Sequence, residues 1–168
     1  MGVESILEIN ALTCKNIALG LSLSLFIFSI QTVNAAPRFS HDQGTITDST
    51  TKLQWQDSYK NNNGKVKSGS FIQAMKYCSS LALAAKQDWR LPTRVELLSI
   101  VDTTRVAKNQ PAIQSAFKVV ATEDTYHTTT EYEDDPESHW TVDFYHGNSL
   151  DVALYTSDGY HIRCVRSK

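Results

Sequence analysis

The chain has 168 residues, of which 16 are lysine or arginine and 18 are aspartate or glutamate, so its formal net charge is −2. A chain this close to neutral has no strong field of either sign, which excludes non-specific recruitment of nucleic acid or of an anionic membrane surface. Its length suits one small domain preceded by a short N-terminal segment.

An apolar run near the N-terminus predicts an export signal. The run extends from Ile17 to Ile30, follows Lys15 and precedes Val33-Asn34-Ala35, where small residues form a cleavage site. It is shorter than the roughly 20 apolar residues that a membrane-spanning helix needs. We therefore expect a signal peptide over residues 1–35 and a mature domain over 36–168 without a stable membrane span, located in the periplasm, on the cell surface or outside the cell. An uncleaved N-terminal anchor is the alternative.

The cysteines predict one disulfide. Removal of the signal peptide takes Cys14 with it and leaves Cys78 and Cys164. Two cysteines in an oxidising compartment are expected to pair with each other.

The first half of the mature chain predicts a β-hairpin followed by a helix. Short strand patterns flank a polar turn within Gly44–Gln56. Ser70 and Gln73 have the spacing of a capping box, which opens a helix predicted over Phe71–Ala85. The three- and four-residue spacing of its apolar side chains places Cys78 on the inward face.

Two further helical segments are predicted downstream. Thr93 and Glu96 form a second capping signature before the apolar stripe of Leu97, Ile100 and Val101. Pro111–Phe117 is predicted as a shorter helical turn, because proline suits a first helical position.

The C-terminal third alternates with period two, which predicts an antiparallel meander with turns at His146–Ser149 and Thr156–Gly159. The predicted fold class is therefore α+β, with two main helices packed on one side of a small antiparallel sheet. The predicted apolar face comprises Trp140, Val142, Phe144, Leu150, Val152, Leu154, Tyr160, Ile162 and Cys164.

Several motifs occur in an order that resembles the family named for the C-terminal domain of the Legionella collagen-like protein. The resemblance runs from about Arg38 to Arg166. It rests on Gly44–Asp48, Thr51–Gln56, Tyr77-Cys78, Trp89–Thr93 with Glu96-Leu97, Pro111–Ile113, Trp140–Phe144 and Arg163–Arg166.

The resemblance implies a fold related to C-type lectins and to the formylglycine-generating enzyme, with the two ends of the domain drawn together. It also implies the Cys78–Cys164 pairing. The naming member is a surface adhesin that recognises sulfated polysaccharides, and its collagen-like stalk has no counterpart here. Where the family usually has Tyr-Trp-Ser-Ser-Thr, this chain has Tyr126-His127-Thr128-Thr129-Thr130, so a ligand contacted by that tryptophan would differ here.

The side chains that alternate with the apolar face predict a polar, outward ligand surface. Aromatic rings beside Asp, His and Arg suit stacking on sugars and hydrogen bonding to hydroxyls. A solvated sheet face, or one covered by a long loop over Ala121–Ser138, is the alternative. The candidate ligand-binding residues are His127, Asp143, Tyr145, Asp151, Tyr155, His161 and Arg163.

Other distinctive residues have structural interpretations. Trp89–Thr93 is expected to supply a core anchor and a helix start. The acidic run Glu131–Glu137 could hold calcium, but a solvated charge run is the better interpretation. The histidines form no short ligand pair, so no metal and no cofactor is predicted, although His127 and His139 flank the acidic run and are where a transition metal would be sought first.

The favoured function is an exported ligand-binding or adhesion module that recognises a polysaccharide or an envelope protein. The alternatives are a structural subunit of an exported assembly and an enzyme of unrecognised type. No catalytic residue is predicted, because the chain has no nucleophile elbow, phosphate loop or zinc-hydrolase motif, and both mature cysteines are assigned to the bridge.

Overall fold

The computed structural model describes residues 36–154 and 159–168. The predicted signal peptide, Tyr155 and most of the predicted turn at Thr156–Gly159 lie outside the described residues. No helix in the described ranges is both long and apolar enough to cross a membrane.

The described residues form an α+β fold with two sheets. The strands are β1 Phe39–Asp42, β2 Thr45–Asp48, β3 Leu53–Gln56, β4 Lys67–Ser68, β5 Tyr126–Tyr132, β6 Asp135–Asp143, β7 Asn148–Ala153, β8 His161–Ile162 and β9 Val165–Ser167. The helices are α1 Phe71–Ser79 and α2 Arg94–Leu98, and single 3-10 segments occupy Lys60–Asn62 and Thr103–Lys108.

The first sheet has the order β1-β2-β3-β9 and joins the two ends of the domain. The predicted hairpin is confirmed, with Ile46 opposite Trp55 in the β2–β3 pair. The last strand then pairs with β3, where Val165 lies opposite Trp55. Ile46, Trp55 and Val165 are fully buried, so the pairing of the last strand with β3 is also part of the core.

The second sheet has the order β4-β8-β5-β6-β7, and it corrects the predicted meander. Strands β6 and β7 pair as expected, but β8 pairs with β4 and runs parallel to β5, where Tyr126 lies opposite His161. Strand β5 was predicted as part of a loop. Its Thr128–Thr130 core has no apolar alternation, so period-two analysis does not detect it even though threonine favours strands.

Helix α1 has the predicted capping box, in which Ser70 accepts from the Gln73 amide and the Gln73 side chain accepts from the Ser70 amide. The predicted end at Ala85 is wrong, because the helix ends at Ser79. The Ser79 hydroxyl donates to the Lys76 carbonyl, and this local bond competes with the helical pattern. Beyond it, Ala85 has a positive φ of 56°, and the chain turns.

Helix α2 also has its predicted capping box at Thr93 and Glu96, but it is only five residues long. The description of two main helices is therefore wrong. Val101 lies beyond the helix and forms a bridge with Ile113. The helical turn predicted over Pro111–Phe117 is also wrong, because residues 111–117 form no helix. The Gln114 amide instead donates to the Ile100 carbonyl beside the bridge.

The predicted disulfide is confirmed. Cys78 and Cys164 are bonded, with Cα atoms 5.4 Å apart, and both are fully buried. The bridge joins α1 to the residue just before β9 and lies in one of two hydrophobic clusters. This cluster comprises Ala74, Cys78, Leu81, Trp89, Leu91, Ile162 and Cys164, so Trp89 is the core anchor expected from its motif.

Candidate functional site

The register between β6 and β7 divides the predicted ligand surface between two faces. Thr141 lies opposite Leu150, and Trp140 lies opposite Asp151. Residues directly opposite each other share a face, so Asp151 lies on the side of Trp140 and away from Thr141 and Asp143. The prediction of one polar face was wrong because a shift of one residue moves every side chain of a strand to the other face.

Asp143 is nearly buried and organises the turn after β6. Its carboxylate accepts hydrogen bonds from the backbone amides of Tyr145 and His146, and it lies 2.7 Å from Nδ1 of His146. Gly147 completes the turn with a φ of +84°, and a Cβ there would lie 3.0 Å from the side chains of both Ala112 and Val101. This turn therefore requires glycine, and it fixes the position of Tyr145.

Arg163 is fully buried, which corrects the prediction that it lies on the exposed surface. Its guanidinium donates to the carbonyls of Gln56 and Val119 at 2.7 and 2.6 Å and to the Asp57 carboxylate at 3.3 Å. It also lies over the ring of Phe117. Arg163 is therefore a core residue that joins three segments of the chain.

His127 is also buried, with 1% of its surface exposed, and it forms a pair with His139. Nδ1 of His127 lies 2.9 Å from Nε2 of His139, and Nε2 of His127 lies 2.8 Å from the Gly69 carbonyl. A carbonyl only accepts, so His127 donates through Nε2 and, when neutral, accepts through Nδ1 from His139. The Phe71 ring of α1 packs against both imidazoles.

Burial sets the protonation of this pair. Loss of solvent lowers the pKa of His127, and burial together with the neighbouring His127 ring lowers the pKa of His139 to about 4. Nδ1 of His139 is buried and has no hydrogen-bond partner among the described residues. The pair is therefore a neutral, hydrogen-bonded core element at neutral pH.

His161 lies mostly buried beside a groove of about 510 Å³ lined in part by Lys65, Lys118 and Glu123. Its ring packs on Tyr126 with centroids 5.2 Å apart, and its Nε2 lies 3.8 Å from the Glu123 carboxylate. Burial lowers the pKa of His161. Neither ring nitrogen has a hydrogen-bond partner among the described residues.

Tyr145 is an exposed candidate ligand-binding residue. It is 59% exposed, and its ring packs roughly perpendicular to the His146 ring with centroids 4.6 Å apart. It lines two depressions. The first, here the neutral cleft, has a volume of about 240 Å³ and is lined by Val106, Asn109, Gln110, Pro111, Thr122 and Tyr145.

The second depression, here the acidic cleft, has a volume of about 580 Å³. Thr122 and Tyr145 line both clefts. The lining residues of the acidic cleft are Thr122, Glu123, Asp124, Thr125, Asp143, Tyr145, His146, Asn148 and Leu150. Sequence reasoning missed Asn109, Gln110 and the segment 122–125, because no local pattern connects them to Tyr145.

The acidic run is a hairpin tip rather than a loop. Strand β5 ends at Tyr132 and strand β6 begins at Asp135, which leaves only Glu133 and Asp134 in the turn. Within the described ranges, no group of three or more His, Cys, Asp or Glu side chains is placed to hold a metal ion. Of the remaining candidates, Asp151 is exposed on β7, and Tyr155 lies outside the described residues.

A comparison with protein families matches residues 44–166 to the model of the Lcl C-terminal domain. The chain belongs to the Lcl C-terminal domain family. The expected family is thereby confirmed over most of the chain. No curated protein matches the sequence.

His127, one of the candidate ligand-binding residues, is internal in this member of the Lcl C-terminal domain family. It is 1% exposed and hydrogen-bonds to His139 from β6. It therefore lies in the core and not on the exposed surface.

Proposed function

We propose that this chain is an exported glycan-binding module whose ligand lies across Tyr145. The observation that carries the proposal is the exposed ring of Tyr145, 59% accessible, which lines two clefts that share Thr122 and Tyr145. The face of an aromatic ring packs well against the apolar face of a pyranose, and nearby polar groups bond its hydroxyls.

The polar groups required for hydroxyl recognition line the same clefts. Asn109 and Gln110 supply amide donors and acceptors in the neutral cleft, and Asn148 supplies them in the acidic cleft. No described residue lining the neutral cleft carries a formal charge. This combination of an aromatic ring and neutral amides favours an extended sugar chain over a small charged metabolite.

The turn that carries Tyr145 is held by several contacts, which favours ligand binding without rearrangement of the chain. The three hydrogen-bonding contacts of Asp143 hold the backbone on both sides of the turn, and Gly147 packs closely against Ala112. A site that is already ordered avoids the entropy cost of ordering a loop when the ligand binds.

We propose further that the fold is of the C-type-lectin-like kind and that the protein acts outside the cytoplasm. Strands from both ends of the domain, β1 and β9, are part of the same four-stranded sheet, which agrees with the fold that the family resemblance implies. The buried Cys78–Cys164 bridge suits an oxidising compartment, since cytosolic proteins seldom keep structural disulfides. Both observations agree with a periplasmic, surface or secreted location.

The test is a glycan array probed with the purified protein and three variants. Tyr145→Ala is expected to lose binding, whereas Tyr145→Phe keeps the ring and retains most of it. Ile72→Ala is the matched control, because Ile72 is 70% exposed on α1, away from both clefts. Equal thermal unfolding of all four proteins excludes misfolding as the cause.

If Tyr145→Ala still binds glycan, the placement of the binding site at Tyr145 is overturned. Absence of binding to every glycan would overturn the function and favour the alternative of a structural subunit. A pull-down from native envelope would then identify the protein that it assembles with.

A further inference from the structure

We propose that the acidic cleft selects glycans that carry protonated amino groups, such as de-N-acetylated amino-sugar chains, over neutral and anionic ones. The inference rests on the proposed function and specifies the ligand class of the same site. It concerns the cleft that Tyr145 lines together with Glu123, Asp124 and Asp143.

Three carboxylates line this cleft, those of Glu123, Asp124 and Asp143. His146 also lines it, with Nδ1 2.7 Å from the Asp143 carboxylate, and none of the described lining residues is lysine or arginine. The Glu123 side chain is 82% exposed, and hydrogen bonding of its carboxylate to its own backbone amide and to the Thr122 amide lowers its pKa, so it is ionised at neutral pH. A sulfated chain would be repelled here, whereas an ammonium group would be attracted.

The cleft also contains a polar group that lacks a partner. Thr125 lines it, is only 7% exposed, and has a hydroxyl without a hydrogen-bond partner among the described residues. A buried hydroxyl left without a partner costs free energy, so a ligand hydroxyl or amine that reaches it gains a hydrogen bond. Its backbone amide already bonds to Asp124, which holds this segment in place.

The aromatic wall makes the acidic residues a sugar site rather than a general cation site. The ring of Tyr145 and the side chain of Leu150, which is 43% exposed, both supply apolar surface in this cleft. A metal ion gains nothing from these two side chains. A glucosamine unit uses both, because its ring has an apolar face and its substituent carries the charge.

The experiment compares three hexasaccharides by calorimetry at mildly acidic pH: glucosamine, N-acetylglucosamine and a sulfated chain. The glucosamine hexamer is expected to bind roughly fivefold more tightly than the N-acetylated one, which is what one or two exposed charge pairs supply. The preference is expected to weaken as salt is added. In the double variant Glu123→Gln/Asp124→Asn, the ratio of the two affinities is expected to fall toward one. Glu137→Gln, an exposed acid on β6 outside the cleft, is the matched control and keeps the ratio.

The outcomes separate the two proposals. The glucosamine hexamer could bind no more tightly than the N-acetylated one while binding still requires Tyr145. That result would overturn the charge selection and leave the glycan-binding function in place. A preference that persists in Glu123→Gln/Asp124→Asn would also overturn it, because the charge would then act elsewhere. Failure of every hexasaccharide to bind, together with an empty glycan array, would overturn both proposals.

Discussion

Nδ1 of His127 lies 2.9 Å from Nε2 of His139, and both rings are buried beneath Phe71. Each ring is held in its neutral form, because burial lowers the pKa of both histidines. This pair is therefore a polar core element whose protonation depends on pH.

The free energy of unfolding is expected to fall as the pH decreases from about 6.5 to about 4. An unfolded histidine takes up a proton near pH 6.5, whereas His139 in the fold does so near 4. Between these values the unfolded chain binds more protons, so lower pH favours unfolding. Urea unfolding at the two ends of this range measures the effect.

His139→Gln is expected to reduce this pH dependence, because its amide keeps the donor to Nδ1 of His127 but takes up no proton. His41→Gln removes an exposed histidine and is the control, in which the free energy of unfolding should change with pH as it does in the wild type. If His139→Gln also shows the wild-type dependence on pH, the histidine pair is not its cause.

The Cys78–Cys164 bridge is expected to contribute about 4 kcal/mol to stability by restricting the unfolded chain, since the two cysteines are 86 residues apart. Urea unfolding of the Cys78→Ala/Cys164→Ala variant measures this contribution. The wild-type protein, denatured without reductant, should show no alkylation at either position. Modification of both thiols would contradict the bridge.

Arg163→Met is expected to lower the free energy of unfolding by about 3–5 kcal/mol, because it leaves the Asp57 carboxylate buried without its cation. Arg166→Met is the matched control. Arg166 pairs with Asp88, whose side chain is 61% exposed, so the free energy of unfolding should fall much less than in Arg163→Met. Similar losses in the two variants would contradict the core role of Arg163.

Ser70→Ala and Thr93→Ala are each expected to destabilise the fold by about 1 kcal/mol, since each removes a side-chain cap from a helix start. Ser80→Ala is the comparison, because its hydroxyl is exposed and contacts only the helix end through the Tyr77 carbonyl. Denaturant midpoints distinguish these effects. If the free energy of unfolding falls by less than a few tenths of a kcal/mol in both cap variants, the capping assignment is contradicted.

The features predicted correctly from the sequence depend on nearby residues or on covalent chemistry. The caps at Ser70 and Thr93 need only a three-residue spacing, and the β2–β3 hairpin needs only a short turn. The disulfide followed from the number of cysteines left after export. These signals do not require knowledge of which distant segments meet.

The features that were missed depend on distant segments. Alternation identifies the two faces of β6 and β7, but only their register places Asp151 opposite Trp140. Likewise, no pattern near Arg163 indicates that Asp57, far earlier in the chain, pairs with it in the core. The clefts beside Tyr145 bring together residues 106–111, 122–125 and 143–150, so tertiary packing alone defines them.

The most direct test of a glycan site at Tyr145 is an NMR titration of the ¹⁵N-labelled protein with the best hexasaccharide from the array. The amide shifts are expected to concentrate in residues 109–111, 122–125 and 145–150, while those of α1 stay unchanged. Shifts centred on α1 or on the hairpin tip at Glu133, with none near Tyr145, would contradict the account.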